Sequence, residues 1–303
     1  MATSYEILHR QQLPTTDAGE LPDSAMRFSD GAAFRVEIPS VEGPEAFREV
    51  LSAAERLKVP VHRISQGSGI MMQTDDEINE MVSLGQANDV EVCLFVGPRA
   101  SWDTGVQVTT STGRVVAGSL RGADQLRHGL EDVIRGTELG LRSVLVADLG
   151  LLGVLGRARA AGDLPEDLIL KVSVSLPIAN PATARILEDL GATTLNLPID
   201  LHMSSIAAIR AAVDTPLDVY MEGADDFGGT VRHFEVPELV RVASPVYVKF
   251  TVRNSPGIYP SGEHLREVVL ATARERVRRA KLGLDQLYRV AGAAAGADDG
   301  DGR

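Results

Sequence analysis

The chain has 303 residues, 44% of them hydrophobic and 24% charged, with a formal net charge of -12 and a single cysteine. Such an acidic balance argues against nucleic acid or anionic membrane as partners, because neutralising phosphates takes a concentrated basic face. One cysteine excludes a disulfide framework, a zinc–thiolate site or a thiolate-ligated iron–sulfur cluster within one chain, and no signal-peptide or membrane-length apolar run occurs, so cytoplasmic residence is expected.

Residues 1–30, with Pro14 and Pro22, lack periodicity and read as an irregular lead-in. From residue 31, short β-branched or apolar runs alternate with amphipathic segments that carry helix-start signals. Strands are expected at 34–38, 59–64, 91–96, 143–147, 169–174, 193–197, 217–221 and 246–252. The first helix, 44–57, places Phe47, Val50, Leu51 and Ala54 on one face. Thr74 with Glu77 three residues on forms a capping box, in which hydroxyl and carboxylate each satisfy an orphan backbone N–H. Cys93 falls in an apolar strand run and reads as a buried structural thiol.

The third unit is overlong, and 106–110 with 114–117 around Thr112-Gly113 read as an inserted hairpin on the catalytic-face side, suited to a lid. Asn180 caps a later helix with Pro181 at its first position, and Gly191 closes it. The segment 262–290 is a long helix whose Arg274, Arg276, Arg278 and Arg279 read as a solvated face, and 292–303 read as a disordered tail. Repeated strand–helix units with no second run of strands imply parallel pairing through right-handed crossovers. Eight units suit a single closed (β/α)8 TIM barrel over 31–291, with an open doubly wound sheet as the competing architecture.

Strand side chains alternate faces, so the apolar set marks the helix side and the rest point inward. The inward set is Arg35 and Glu37; Lys171, Ser173 and Ser175; Thr194 and Asn196; Asp218, Tyr220 and Glu222; and Tyr247, Lys249, Thr251 and Arg253. On the second strand His62 is placed inward ahead of Arg63. Barrel closure makes the first, seventh and eighth strands neighbours, which groups Glu37, Lys249 and Glu222 near the catalytic rim, either as a catalytic cluster or as a buried ion-pair network that fills the barrel, with Arg35 and Asp218 as a structural pair at the far end.

Lys249 then has three readings: a base, a Schiff-base amine, or an ammonium that positions anions. Glu37 and Glu222 alternatively hold Mg2+ or Mn2+ with Asn196 or Asp148, since hard cations take oxygen ligands, although no resident cofactor is the primary expectation. His62 is a general acid or base by its pKa, or a satisfied core residue. Asn196, Ser173 and Tyr220 are candidate substrate-binding groups. Arg253, Asn254, Ser255 and Gly257 follow the last strand, where many barrels bind phosphate through loop N–H groups. The run Gln66-Gly67-Ser68-Gly69 lacks nucleotide-loop spacing and reads as a turn. His202 and His233, like Asp225 and Asp226, read as solvated.

Three stretches resemble the peptidase U32 family: Asn180-Pro181-Ala182-Thr183-Ala184 leading to Leu187-Glu188-Asp189-Leu190-Gly191, then Leu195-Asn196-Leu197-Pro198-Ile199-Asp200-Leu201, then Val219-Tyr220-Met221-Glu222-Gly223-Ala224. The resemblance covers about 173–250. It implies a barrel of that type, but the cysteines that the family places after the last of these turns are replaced by Asp225, Asp226 and Phe227, and Glu222 stands where the family tends to have His. Cluster-dependent chemistry is therefore not implied. The expected function is an enzyme on a small polar or anionic substrate, using Lys249, Glu37, Glu222 and His62 for acid–base or carbonyl chemistry. The alternatives are a U32-type hydrolase with a divalent metal and a non-catalytic binding or scaffold subunit. A small-molecule substrate is the expected partner, and a homo-oligomer is compatible with the sequence.

Overall fold

Each apolar strand run must bury both faces, and each amphipathic helix one stripe, so the alternation resolves into a ring of helices around a ring of strands. The computed structural model describes residues 4–14, 21–97, 118–176 and 178–298. Among them the order is α1 (Ser4–Arg10), β1 (Phe34–Pro39), α2 (Pro44–Leu57), β2 (Arg63–Ser65), α3 (Asp75–Asn88), β3 (Glu91–Phe95), α4 (Gly122–Glu138), β4 (Ser143–Val146), α5 (Leu149–Ala161), β5 (Ile169–Val172), α6 (Pro181–Asp189), β6 (Thr194–Asn196), α7 (Met203–Arg210), β7 (Leu217–Glu222), α8 (Val236–Ala243), β8 (Val246–Phe250) and α9 (Arg266–Asp298). The eight strands pair in chain order, all parallel, and β8 closes on β1. The protein is a closed TIM barrel, and the open-sheet alternative is excluded.

The outward strand faces carry aliphatics such as Val36, Leu94, Val144, Leu170, Leu195, Val219 and Val248, all buried beneath the helices. Thr74 forms the capping box with Glu77, and Asn180 caps α6 through the Thr183 N–H. Before β1, α1 is helical and Ser24 reaches the α8 end, its Oγ donating to Ser244 O at 2.5 Å. At the other end α9 continues to Asp298, past the 291 boundary set by composition, because alanine favours helix where glycine alone would break it. The inserted hairpin expected at 106–117 lies outside the described residues. No helix among those described is long and apolar enough to cross a membrane.

On β2 the expected span 59–64 moves to Arg63–Ser65, and because Ile64 packs in the apolar core beneath the helices, alternation turns Arg63 inward. Arg63, not His62, therefore enters the lumen. The Arg face expected on α9 is also only partly solvated: Arg276 is buried, its Nη1 donating to Ser40 O and Thr272 Oγ1 at 3.2 Å each.

Candidate functional site at the barrel mouth

Register brings Glu37 beside Arg63 on β2 and Lys249 on β8, and Tyr220 beside Lys249 on β7. An eight-stranded barrel is just wide enough for side chains to fill, so long ones also meet across its axis. Lys171 on β5 extends across to pair with Glu37 and stands 3.4 Å from Asp218. Arg63 lies 3.4 Å from Glu37, 3.2 Å from Asp218 and 2.7 Å from Glu91, and stacks over the Tyr247 ring at 3.5 Å. Lys249 Nζ lies 3.1 Å from Glu37 Oε1 and 4.2 Å from the Tyr220 ring centroid. Ser65 Oγ donates to Glu37 at 2.6 Å, and Thr194 Oγ1 to Asp218 at 3.1 Å. Glu37, Arg63, Lys171 and Asp218 are wholly buried, and Lys249 is 1% exposed.

Burial alone would raise the Glu37 carboxyl, but the charges of Lys171, Lys249 and Arg63 outweigh it and hold the group well below the usual carboxylate range. Burial first, and the Glu37 charge second, push the Tyr220 hydroxyl up to about 12, so it stays protonated. Cys93, facing the same lumen from β3, is a buried thiol pushed up to about 12 by desolvation.

Above this network lies a small cavity of about 100 Å3, lined among others by Ser65, Ser173, Asn196, Tyr220 and Lys249. Tyr259, from the loop after β8, covers one side of it. The ring packs so closely on Gly67 that a Cβ there would fall 2.5 Å from it, and its hydroxyl pairs with Ser40 Oγ. Glu91, partly exposed, closes the base of the network, and Lys249 closes the top against the cavity.

Of the residues expected in the site, Lys249, Glu37, Asn196, Ser173 and Tyr220 are brought together at the mouth or just beneath it. Glu222 is not. A β-bulge between Tyr220 and Glu222 shifts the phase of β7, so Glu222 registers with outward-facing Phe250. Its carboxylate instead lies 3.0 Å from His233 Nε2 and 3.7 Å from Arg279 Nε and accepts from the Arg253 N–H at 3.1 Å. Burial opposes its ionisation, but the His233 contact, the Arg253 N–H and the Arg279 charge together hold its carboxyl below the ordinary value. His233, read as solvated, is thus engaged by Glu222.

His62 sits before β2 at the opposite end of the barrel, where its Nδ1 accepts from the Val36 N–H at 3.0 Å, and burial lowers its pKa. Arg35 pairs with Asp30 at 2.9 Å, leaving Asp218 to Arg63 and Lys171. Arg253 pairs with Asp225 at 2.6 Å, and the same carboxylate accepts from the Asn254 N–H, so an acidic side chain already holds the loop donors expected for phosphate. Ser255 Oγ turns to Pro256 O at 3.4 Å, away from the cavity lining. In the turn after β2, the Gly67 and Ser68 N–H groups donate to Glu42 at 2.7 and 3.0 Å.

The residue pair expected to hold a divalent metal is split, because Glu37 faces the lumen and Glu222 the helices, while Asp148 caps α5 through the Leu151 N–H at 2.8 Å. Among the described residues no three His, Cys, Asp or Glu side chains converge into a metal-binding group.

The Peptidase family U32 model matches residues 115–226, less than half of the chain. No curated protein matches the chain. Among solved structures, the YdjI aldolase from Escherichia coli K12 is similar at 16% identity, covering 82% of this chain and 91% of its own, with a TM-score of 0.52. The U32 peptidase Mk0906 is similar at 17% identity over 68% of this chain and 74% of its own, with a TM-score of 0.39. At such identity the aldolase likeness shows the barrel fold and nothing of its chemistry. The chain is U32-like, without the family's cysteines after β7.

Proposed function

We propose that this divergent U32-like barrel is an enzyme acting on a small polar or anionic substrate, with Lys249 as the group that meets the substrate's carbonyl or oxyanion. The observation that supports the reading is the position of Lys249 Nζ at the top of the buried network, against the cavity at the catalytic end of the barrel. Beneath it, Lys171 and Arg63 already share Glu37 and Asp218. An entering carboxylate or phosphate gives Lys249 a counter-charge that Glu37, divided among three cations, supplies only in part. An entering carbonyl meets an amine held in place by the Glu37 carboxylate and the Tyr220 ring, with Ser173 and Asn196 as neutral partners for its other oxygens. Carbonyl chemistry here means that the Lys249 ammonium first gives up a proton to solvent in the cavity, the free amine adds to the carbonyl carbon, and the resulting carbinolamine loses water to form an imine. Lys249 and Glu37 carry this role, no resident cofactor enters it, and the site acts on a free small molecule in the cytoplasm.

The test is reductive trapping. The protein is incubated with pyruvate or dihydroxyacetone phosphate, reduced with borohydride and peptide-mapped. A mass increment on the Lys249 peptide, absent in Lys249→Met, is the expected result. No adduct with either compound, together with unchanged anion binding by Lys249→Met, would refute the reading.

The match to the U32 model over 115–226 supports a second reading, a U32-type hydrolase. Peptide hydrolysis by the purified protein, with no borohydride adduct, would favour it over carbonyl chemistry.

A further inference from the structure

Tyr259 stands in the loop after β8 and lines the mouth cavity together with Gly67, Tyr220 and Lys249. Among the described residues of that lining it is the most exposed, at 41%, so one side of it borders the cavity while another meets water. Its hydroxyl end pairs with Ser40 Oγ, and Ser40 is itself buried. Burial pushes the phenol above its ordinary pKa, so this wall of the cavity carries no charge at neutral pH.

The chain on either side holds the ring in place. Ile258 is 4% exposed and packs in the apolar core, and the Ser261 N–H donates to Ser68 Oγ at 2.8 Å. Beneath the ring, Gly67 is in close contact, since a Cβ there would fall 2.5 Å from Tyr259 Cε1. That support is fixed in turn, because the Glu42 carboxylate accepts from both the Gly67 and Ser68 N–H groups. Tyr259 is therefore an anchored wall of the cavity.

The space it bounds is small. At about 100 Å3 it falls below the roughly 150 Å3 that admits benzene in a protein interior, and well below the roughly 300–1,000 Å3 of ordinary ligand pockets. Ser65, Tyr220 and Lys249, on the opposing walls, stand on barrel strands and are at most 7% exposed. A bulkier occupant held by Lys249 thus has to displace the wall that is built on a loop. We propose that Tyr259 is the specificity-determining residue of the site: its ring excludes aromatic and branched substituents beside the carbonyl or carboxylate that Lys249 holds, so that short unbranched compounds form the substrate class. The proposal rests on the Lys249 reading above and adds to it the group that limits size.

Calorimetric titration of the full chain with glycolate, lactate and mandelate tests it, since the three share one carboxylate head and carry hydrogen, methyl or phenyl on the adjacent carbon. The wild type should bind glycolate and lactate at least about tenfold more tightly than mandelate, the scale of forcing excess volume into a packed space. Tyr259→Ala should abolish that difference, whereas Tyr259→Phe, which keeps the ring over Gly67, should retain it. If the alanine variant misfolds, Tyr259→Leu reads the same change through a smaller side chain. Equal affinity of the wild type for glycolate and mandelate overturns the proposal, as does exclusion of mandelate that persists in folded Tyr259→Ala. If the wild type binds all three equally and Lys249→Met weakens them together, the Tyr259 assignment fails and the Lys249 reading stands. If Tyr259→Ala admits mandelate and Lys249→Met binds all three acids as the wild type does, the Tyr259 assignment stands and the Lys249 reading fails. Absence of binding by all three overturns both.

Discussion

Lys249→Met and Glu37→Gln remove the two ends of one buried contact, and the surrounding network makes their consequences unequal. When Lys249 becomes Met, Glu37 keeps Lys171, Arg63 at 3.4 Å and Ser65 Oγ at 2.6 Å. No carboxylate is stranded, and an apolar side chain of similar length replaces an ammonium that was costly to desolvate. The stability change should lie within about 1 kcal/mol of neutral, as replacing buried charge by well-packed apolar groups often does. When Glu37 becomes Gln, three buried cations lose their shared counter-ion, and only Asp218 and Glu91 remain to them. That loss should cost about 3–5 kcal/mol, the range for breaking a buried pair. Urea unfolding followed by circular dichroism and fluorescence, with coincident transitions required, measures both costs. Titration with glycolate at low temperature measures the site. The expected pattern is a nearly normal midpoint with lost binding for Lys249→Met, and a sharply lowered midpoint for Glu37→Gln. If Lys249→Met falls as far as Glu37→Gln while keeping its ligand affinity in the cold, Lys249 is a structural counter-ion and the argument is wrong.

The depressed Glu37 carboxyl makes stability pH-dependent with a definite sign. Because its folded pKa lies below the ordinary 4.5, the unfolded chain binds protons first on acidification, so the Glu37 contribution is complete above about 4.5 and drains away below it. Unfolding midpoints of the wild type should drop below pH 4.5, and more steeply than those of Glu37→Gln. Asp132 runs the other way, since burial raises its carboxyl to about 6 against the pull of Arg135 and the Gly97 N–H. Asp132→Asn should raise the thermal midpoint at pH 7 to 8, and the gain should vanish below pH 4; a lower midpoint at neutral pH would show that the ionised form is favoured after all. Glu222→Gln should lower stability by about 1–3 kcal/mol through its lost charge-assisted contacts, and should leave glycolate affinity within twofold. Abolished binding in that variant would mean that Glu222 reaches the cavity.

The barrel was legible because its signal is local and repeated. Parallel strands buried on both faces read as apolar runs, and capping residues such as Thr74 and Asn180 mark where the helices between them begin. Inner faces were legible for the same reason in β1, β5, β6 and β8, where an unbroken two-residue period separates Glu37, Lys171, Asn196 and Lys249 from their aliphatic neighbours. The two strands that misled did so through geometry with no compositional mark. On β7 the single residue inserted at the bulge turns Glu222 from lumen to helices, and on β2 the ladder begins only at Arg63. A three-residue strand is too short for periodicity to set its phase.

Lys171 was missed for a different reason: its inward direction was evident, but its partner was not. Neighbour reasoning follows the hydrogen-bonded ladder, where β5 touches only β4 and β6. Charge pairing in this barrel ignores the ladder and follows the diameter. Lys171 meets Glu37 across the lumen, and Arg63 on β2 meets Asp218 on β7. The usable signal is therefore the set of long charged side chains facing inward at one height, whatever strands bear them, with their charges summed. On that basis Lys249 becomes distinctive by height alone. The lower cations are paired with carboxylates, whereas Lys249 has the Glu37 carboxylate on one side and a small cavity on the other. Closing the ring thus turns isolated strand positions into one ion-pair network across the lumen, with Lys249 as the member that borders the cavity.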